Sequence, residues 1–178
     1  LNIFYLDSNP KLCAQMHCDV HCNKMVGEYC QILSTTHRII DGQERVKTDN
    51  KGRETLIWEL PDELDEILMQ VSEPNQPINE WVRQSIGNYQ WAFSLLNEIC
   101  NEFEIRNGKT HILVREGLVG ALANPPKNIP MGDFSEPPQA ISDKYKIEGD
   151  TITAYRNFYK SKGEKLLKWR KTKAPDWL

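Results

Sequence analysis

No apolar run in this 178-residue chain approaches the ~18 residues of a membrane span, so no transmembrane helix is expected. Nothing repeats internally. The opening residues run from Leu1–Leu6 straight into Asp7-Ser8-Asn9-Pro10, which lacks the form of a signal peptide. A disulfide framework is also missing. The five cysteines are odd in number, and Cys13, Cys18, Cys22 and Cys30 crowd one short stretch far from Cys100. No Cys-x2-Cys pair occurs among residues 13, 18 and 22, so zinc-finger spacing is absent as well. A cytoplasmic location is therefore expected, with the cysteines serving as small core residues. Net charge is low too, at −3 from 22 lysines and arginines against 25 carboxylates.

What is present points to a single mainly α domain over residues 1–178. Asn2–Leu6 reads as a short extended segment or buried tether. Ser8 or Asn9 before Pro10 starts a helical pattern that runs to about Ile40 and stops at Asp41-Gly42. Residues 41–60 are charged and aperiodic and read as an exposed loop. Pro61-Asp62-Glu63 opens a short helix to about Val71, with acidic residues at its positive end. Ser72–Pro77 connects it to a long helix over Ile78–Arg106. There Val82, Tyr89, Ala92, Leu96, Ile99 and Phe103 keep helical spacing, and Asn107-Gly108 supplies the cap. Glu98, Glu102 and Arg106 recur every four residues on another face. A further helix is expected over Thr110–Ala123. Residues 124–149 hold five prolines together with Ile129, Met131, Phe134 and Ile141, the composition of an ordered strap. Asp150 or Thr151 caps a last helix to about Lys162, re-forming after Gly163.

The first helix carries a polar stripe. At 100° per residue His17, His21, Lys24, Glu28, Gln31 and Thr35 share an arc of about 80°. Val20, Met25 and Ile32 border it, and Cys18, Cys22, Tyr29 and Leu33 widen the apolar side. Asp19 and His37 fall near about 200° and lie off the stripe. Three readings fit. His17, His21, Lys24 and Glu28 can be catalytic, with histidine titrating near neutrality beside a carboxylate and a desolvated lysine acting as a nucleophile. His17 and His21, one turn apart, can share a divalent metal with Glu28. Or the stripe is a satisfied polar network that specifies packing.

Net charge hides a split. Residues 151–178 hold eight lysines and arginines against Glu164 and Asp176, a net +6, which leaves −9 for the first 150 residues. Tyr155, Phe158, Tyr159, Trp169 and Trp177 are interleaved with those cations. Cations for phosphates and rings for bases make a nucleic-acid footprint. Tyr155, Arg156, Tyr159 and Lys160 are the substrate-binding candidates there, joined by Gln31 on the stripe and by Asn88 and Trp91, three apart on the central helix. An amphipathic helix with its lysines in water is the structural alternative.

Three stretches carry a resemblance: IFYLDSNPKLCAQMHCDVHCNKM at 3–25, INEWVRQSIGNYQWAFSLLNEICNEFEIRNGKTH at 78–111, and AYRNFYKSKGEKLLKW with a terminal APDWL in 154–178. In this order they resemble an uncharacterised family of small proteins common in phages and marine microbial sequences. Its members read His-Cys-Asp-Lys-His followed by two valines. Here Val20 stands in place of the lysine and Cys22-Asn23 in place of the valines, while Lys24, Met25 and Glu28 keep their places. A fainter likeness is to pyrimidine-dimer DNA glycosylases of the endonuclease V type. It rests on the N-terminal extended segment, the Arg106-x-Gly108 turn and the basic, aromatic C-terminus. That likeness implies attack on a sugar by an amine. In those enzymes the amine is a small N-terminal residue, which Leu1-Asn2 does not match, so Lys24 is the candidate. The expected function is an enzyme acting on nucleic acid or a nucleotide. The alternatives are a non-enzymatic nucleic-acid-binding accessory protein and a metal-stabilised helical domain.

Overall fold

A computed structural model describes residues 2–178. The fold is mainly helical with one small two-stranded sheet. Residues Ile3–Leu6, neither helix nor strand, are buried in the centre, the tether the sequence suggested. Asn9 caps helix α1 (Pro10–Met16) by accepting the N–H groups of Lys11 and Leu12.

The first helical pattern is interrupted where a continuous helix was expected. Helix α1 ends at His17 and α2 (Asp19–Asp41) starts after Cys18, both residues being extended. Tertiary partners take the backbone donors at the break. Cys18 N–H donates to the Tyr159 hydroxyl at 2.8 Å, and Asp19 N–H donates to the Lys168 carbonyl at 2.8 Å. His17 and His21 therefore do not share one helical register.

Residues 43–59 form a hairpin, not a loop. Strands β1 (Gln43–Thr48) and β2 (Glu54–Glu59) pair antiparallel, with Glu44 opposite Trp58 and Val46 opposite Leu56. The Asp49 carboxylate closes the turn by accepting Lys51 N–H, Arg53 N–H and Arg53 Nε–H. Charges on both faces of the ladder hide its alternation in the sequence.

The next helix is one turn, α3 (Leu64–Ile67). It stops because Arg38, fully buried in α2, takes the carbonyls of Asp65, Leu68 and Met69, together with the Asp65 carboxylate and the Trp58 carbonyl. The expected helix over 78–106 is two, α4 (Pro77–Val82) and α5 (Ile86–Asn107). Ser85 caps α5, and Asn88 reaches back across the break to the Trp81 carbonyl. Gly108 ends α5 in the left-handed region, φ +70°, as the Asn-Gly signal requires. Residues 110–123 hold two single turns, α6 (Ile112–Arg115) and α7 (Leu118–Ala121), parted by Gly117 at φ +89°. Helix α8 (Thr151–Lys160) is capped by Asp150. No helix re-forms after Gly163, and the tail follows the body in turns.

The strap over 124–149 is ordered, with one 3-10 turn. Its carbonyls at Pro130 and Gly132 accept the first N–H groups of α5, from Ile86 and Gly87. Gly87 is the seat: a Cβ there would run into the backbone of Asp133 and Phe134. The core gathers the N-terminal segment, α1, α2, α5 and α8 around Tyr5, Leu6, Met25, Ile32, Trp81, Tyr89 and Tyr155. Burying each large apolar side chain contributes about 1.5–3 kcal/mol. No helix among the described residues is long and apolar enough to cross a membrane.

Candidate functional site

The polar stripe divides at the helix break. His17 is fully buried. Its Nδ1 lies 2.7 Å from the Cys13 carbonyl, which can only accept, so Nδ1 carries the proton. Nε2 therefore accepts from the Tyr29 hydroxyl at 2.6 Å, and that oxygen accepts the Phe4 N–H at 3.3 Å. Every link has its own proton. Burial pushes the His17 imidazole down to about 3 and raises Tyr29 well above its ordinary value. His17 is thus part of a closed neutral network and faces no cleft.

His21 is held differently. The Tyr159 hydroxyl accepts Cys18 N–H and shares a hydrogen bond with His21 Nδ1 at 2.7 Å. Nε2, at the other edge, is open to solvent. Phe4 stacks on the His21 ring with centroids 4.6 Å apart and meets Tyr159 edge-on at 5.0 Å. Burial first, then the charges of Lys162 and Lys24, push His21 down to about 4.

Lys24 is exposed and pairs with Glu28 at 3.4 Å. It is not the desolvated amine that the sequence suggested. That position belongs to Lys162, which sequence reading did not single out. Its Nζ stands 5.3 Å over the Phe4 ring and 4.8 Å over Phe158. Half-burial, then Lys24, lowers its pKa. Phe158 is its one local neighbour here, while Phe4, Lys24 and His21 come from the opposite end of the chain.

Most of the remaining candidates are taken up by the fold. Gln31 donates to the Gln70 carbonyl at 2.5 Å. Asn88 is fully buried between Trp81 and Ser135. Trp91 donates to the Ser8 carbonyl, and its face stacks on Phe134. Tyr155 is sealed, donating to the Pro138 carbonyl at 2.7 Å. The Arg156 guanidinium binds the Leu6 carbonyl at 2.8 Å, approaches Asp7 at 3.4 Å and lies over Trp177. Tyr159 is the buried partner of His21. Lys160 stays exposed at a shallow hollow of about 340 Å³. The metal arrangement of His17, His21 and Glu28 is not formed: the imidazoles bind separate tyrosines across the helix break. No cluster of three or more His, Cys, Asp or Glu among the described residues can hold a metal ion.

The basic tail and the first helix do meet. Asp19, which the helical wheel set aside, fastens them. Its Oδ2 accepts Arg170 N–H at 2.9 Å, and its Oδ1 stands 3.4 Å from Arg106. Arg106 is buried, not on an outer face, and it clamps the carbonyls of Gln15 and His17 as well as Glu102. Trp177 donates to the Met16 sulfur at 3.4 Å. A cleft of about 280 Å³ opens here, lined by Asp19, Asn23, Arg106, Asn107, Arg170 and Lys171. Lys160, Lys165, Lys168, Arg170 and Lys171 are exposed, and among the described residues none forms an ion pair. The exposed start of α2 thus carries Lys24, with Lys162 on one flank and Arg170 and Lys171 on another.

No protein-family model, curated protein or solved structure matches this chain.

Proposed function

We propose that this chain binds nucleic acid through the basic face around the start of α2. One observation carries the reading. Five unpaired cations, Lys160 at the end of α8 and four more on a tail without regular structure, face solvent, and that tail is held against the body by Asp19, itself paired with Arg106, and by Trp177. Cations held in place neutralise phosphates without a large ordering cost, and the counterions released make binding salt-dependent. Fluorescence anisotropy with a labelled single-stranded oligonucleotide tests it. The affinity should fall linearly with salt on logarithmic axes. Reversing Lys168, Arg170 and Lys171 to Glu should reduce that slope by about 2. The reversal Lys47→Glu, on the exposed strand β1 beyond the far end of α2, should change neither. Equal binding by all three proteins would sink the proposal.

A second reading is favoured by the position of Lys162. An amine with a lowered pKa beside the open edge of His21 and the Glu28 carboxylate is equipped to condense with an aldehyde. The carbonyl oxygen leaves as water and a carbon–nitrogen double bond forms. Borohydride trapping on abasic DNA should then give an adduct that Lys162→Ala abolishes and Lys24→Ala retains. No adduct from the unsubstituted protein leaves binding alone.

A further inference from the structure

His37 makes a second histidine–tyrosine contact, near the far end of α2. It is 2% exposed. Its Nε2 lies 2.8 Å from the Tyr89 hydroxyl of α5. That hydroxyl donates its only proton to the Leu122 carbonyl, just after α7, at 2.6 Å. Tyr89 oxygen must therefore accept from His37 Nε2–H. A neutral ring then has a bare Nδ1, and Nδ1 is buried with no hydrogen-bond partner. The backbone of Asn124, where the strap begins, acts on this ring as an acceptor that favours its charged form.

The protons can be counted. Three links are available: Nδ1 to Asn124, Nε2 to Tyr89, and Tyr89 to Leu122. A neutral histidine and a tyrosine bring two protons. One link is always short, and the imidazolium completes all three. The surroundings suit that charge. Asp41, at the end of α2, and Asp62, before α3, both favour it. Glu63 and Lys127 line the same hollow of about 400 Å³, and the Asp41 carboxylate is itself fixed by the N–H groups of Lys127 and Asn128.

We infer that His37 is a proton-operated clamp at the root of the strap: taking up one proton completes the network with a bond from α2 to Asn124. Burial opposes the charge, so the clamp is open at neutral pH and closes on mild acidification.

Nitrogen-15 NMR of the imidazoles in the full chain tests this. At neutral pH His37 should appear as the Nε2–H tautomer, whereas His17 appears as Nδ1–H. On acidification His37 should protonate before His21 and His17. The Asn124 carbonyl resonance should move with the same midpoint. In Tyr89→Phe the single proton is free to move, so His37 should switch to Nδ1–H. A His37 already Nδ1–H at neutral pH, a ring still neutral after His21 has charged, or a tautomer unchanged in Tyr89→Phe would each overturn the inference. The observations on the unsubstituted chain stand whether or not the variant folds.

Discussion

His17 meets Tyr29 at 2.6 Å and His37 meets Tyr89 at 2.8 Å, and both rings are sealed from water. The residue types are the same, and the difference lies in the third partner. Tyr29 receives an N–H from Phe4, so its own proton is free for His17. Tyr89 spends its proton on the Leu122 carbonyl, so His37 must supply the link between them. One network is saturated as a neutral unit and resists a proton. The other is one proton short and has two carboxylates close enough to favour it. A buried histidine is thus inert or responsive according to the donors its neighbours hold, and burial alone does not decide which.

The largest expected effect is from Tyr29→Phe, which strands His17 Nε2 and the Phe4 N–H together in the core. An unpartnered buried group costs about 1–3 kcal/mol, so unfolding in urea at pH 7 should show a loss on the order of 3 kcal/mol. Tyr89→Phe should cost only about 1 kcal/mol, because His37 can turn its proton to Nδ1, so that Nε2 takes over as the bare nitrogen and the Leu122 carbonyl is the one further group left without a donor. Equal losses would break the comparison.

The pH dependence comes next. His17 and His21 have folded values of about 3 and about 4, depressed from 6.5. Below pH 6.5 the unfolded chain takes up protons that the folded one refuses. Stability is therefore full above that pH and is lost as pH falls toward the folded values. Each should contribute about 1.4 kcal/mol per pH unit between its folded and unfolded values, His21 over the narrower range. Urea midpoints measured from pH 7.5 to 4.5 check the slope. A flat profile would mean that the two rings charge in place. The smallest effect is from Asp62→Asn. It should lower the His37 midpoint in an NMR titration and leave His17 unmoved.

Much of the local structure was legible before any coordinates. Asn9-Pro10 starts a helix, Asn107-Gly108 ends one, and Asp150 caps the last. The proline-rich strap is ordered because its apolar residues and its carbonyls have seats, notably at Gly87. The breaks were not legible. A wheel drawn through His17 and Thr35 assumes one axis, and the axis ends where Tyr159 and Lys168 claim two backbone positions at residues 18 and 19. The same assumption placed Asp19 and His37 off the stripe, yet Asp19 fastens the tail and His37 sits at the strap's root. Lys162 carried no local sign beyond Phe158, because the rest of its environment is assembled from residues more than a hundred positions away.

The sequence by itself determined the helical class, most caps and the concentration of positive charge in the last 28 residues, since these depend on neighbours along the chain. Tertiary structure alone decided which polar groups are spent and which are free. A hydrogen-bonding side chain has a fixed number of protons and lone pairs. Whether any remain for a ligand or a proton depends on partners that only folding brings within 3 Å: Tyr29 and Tyr159 for the first two histidines, and Tyr89 for the third.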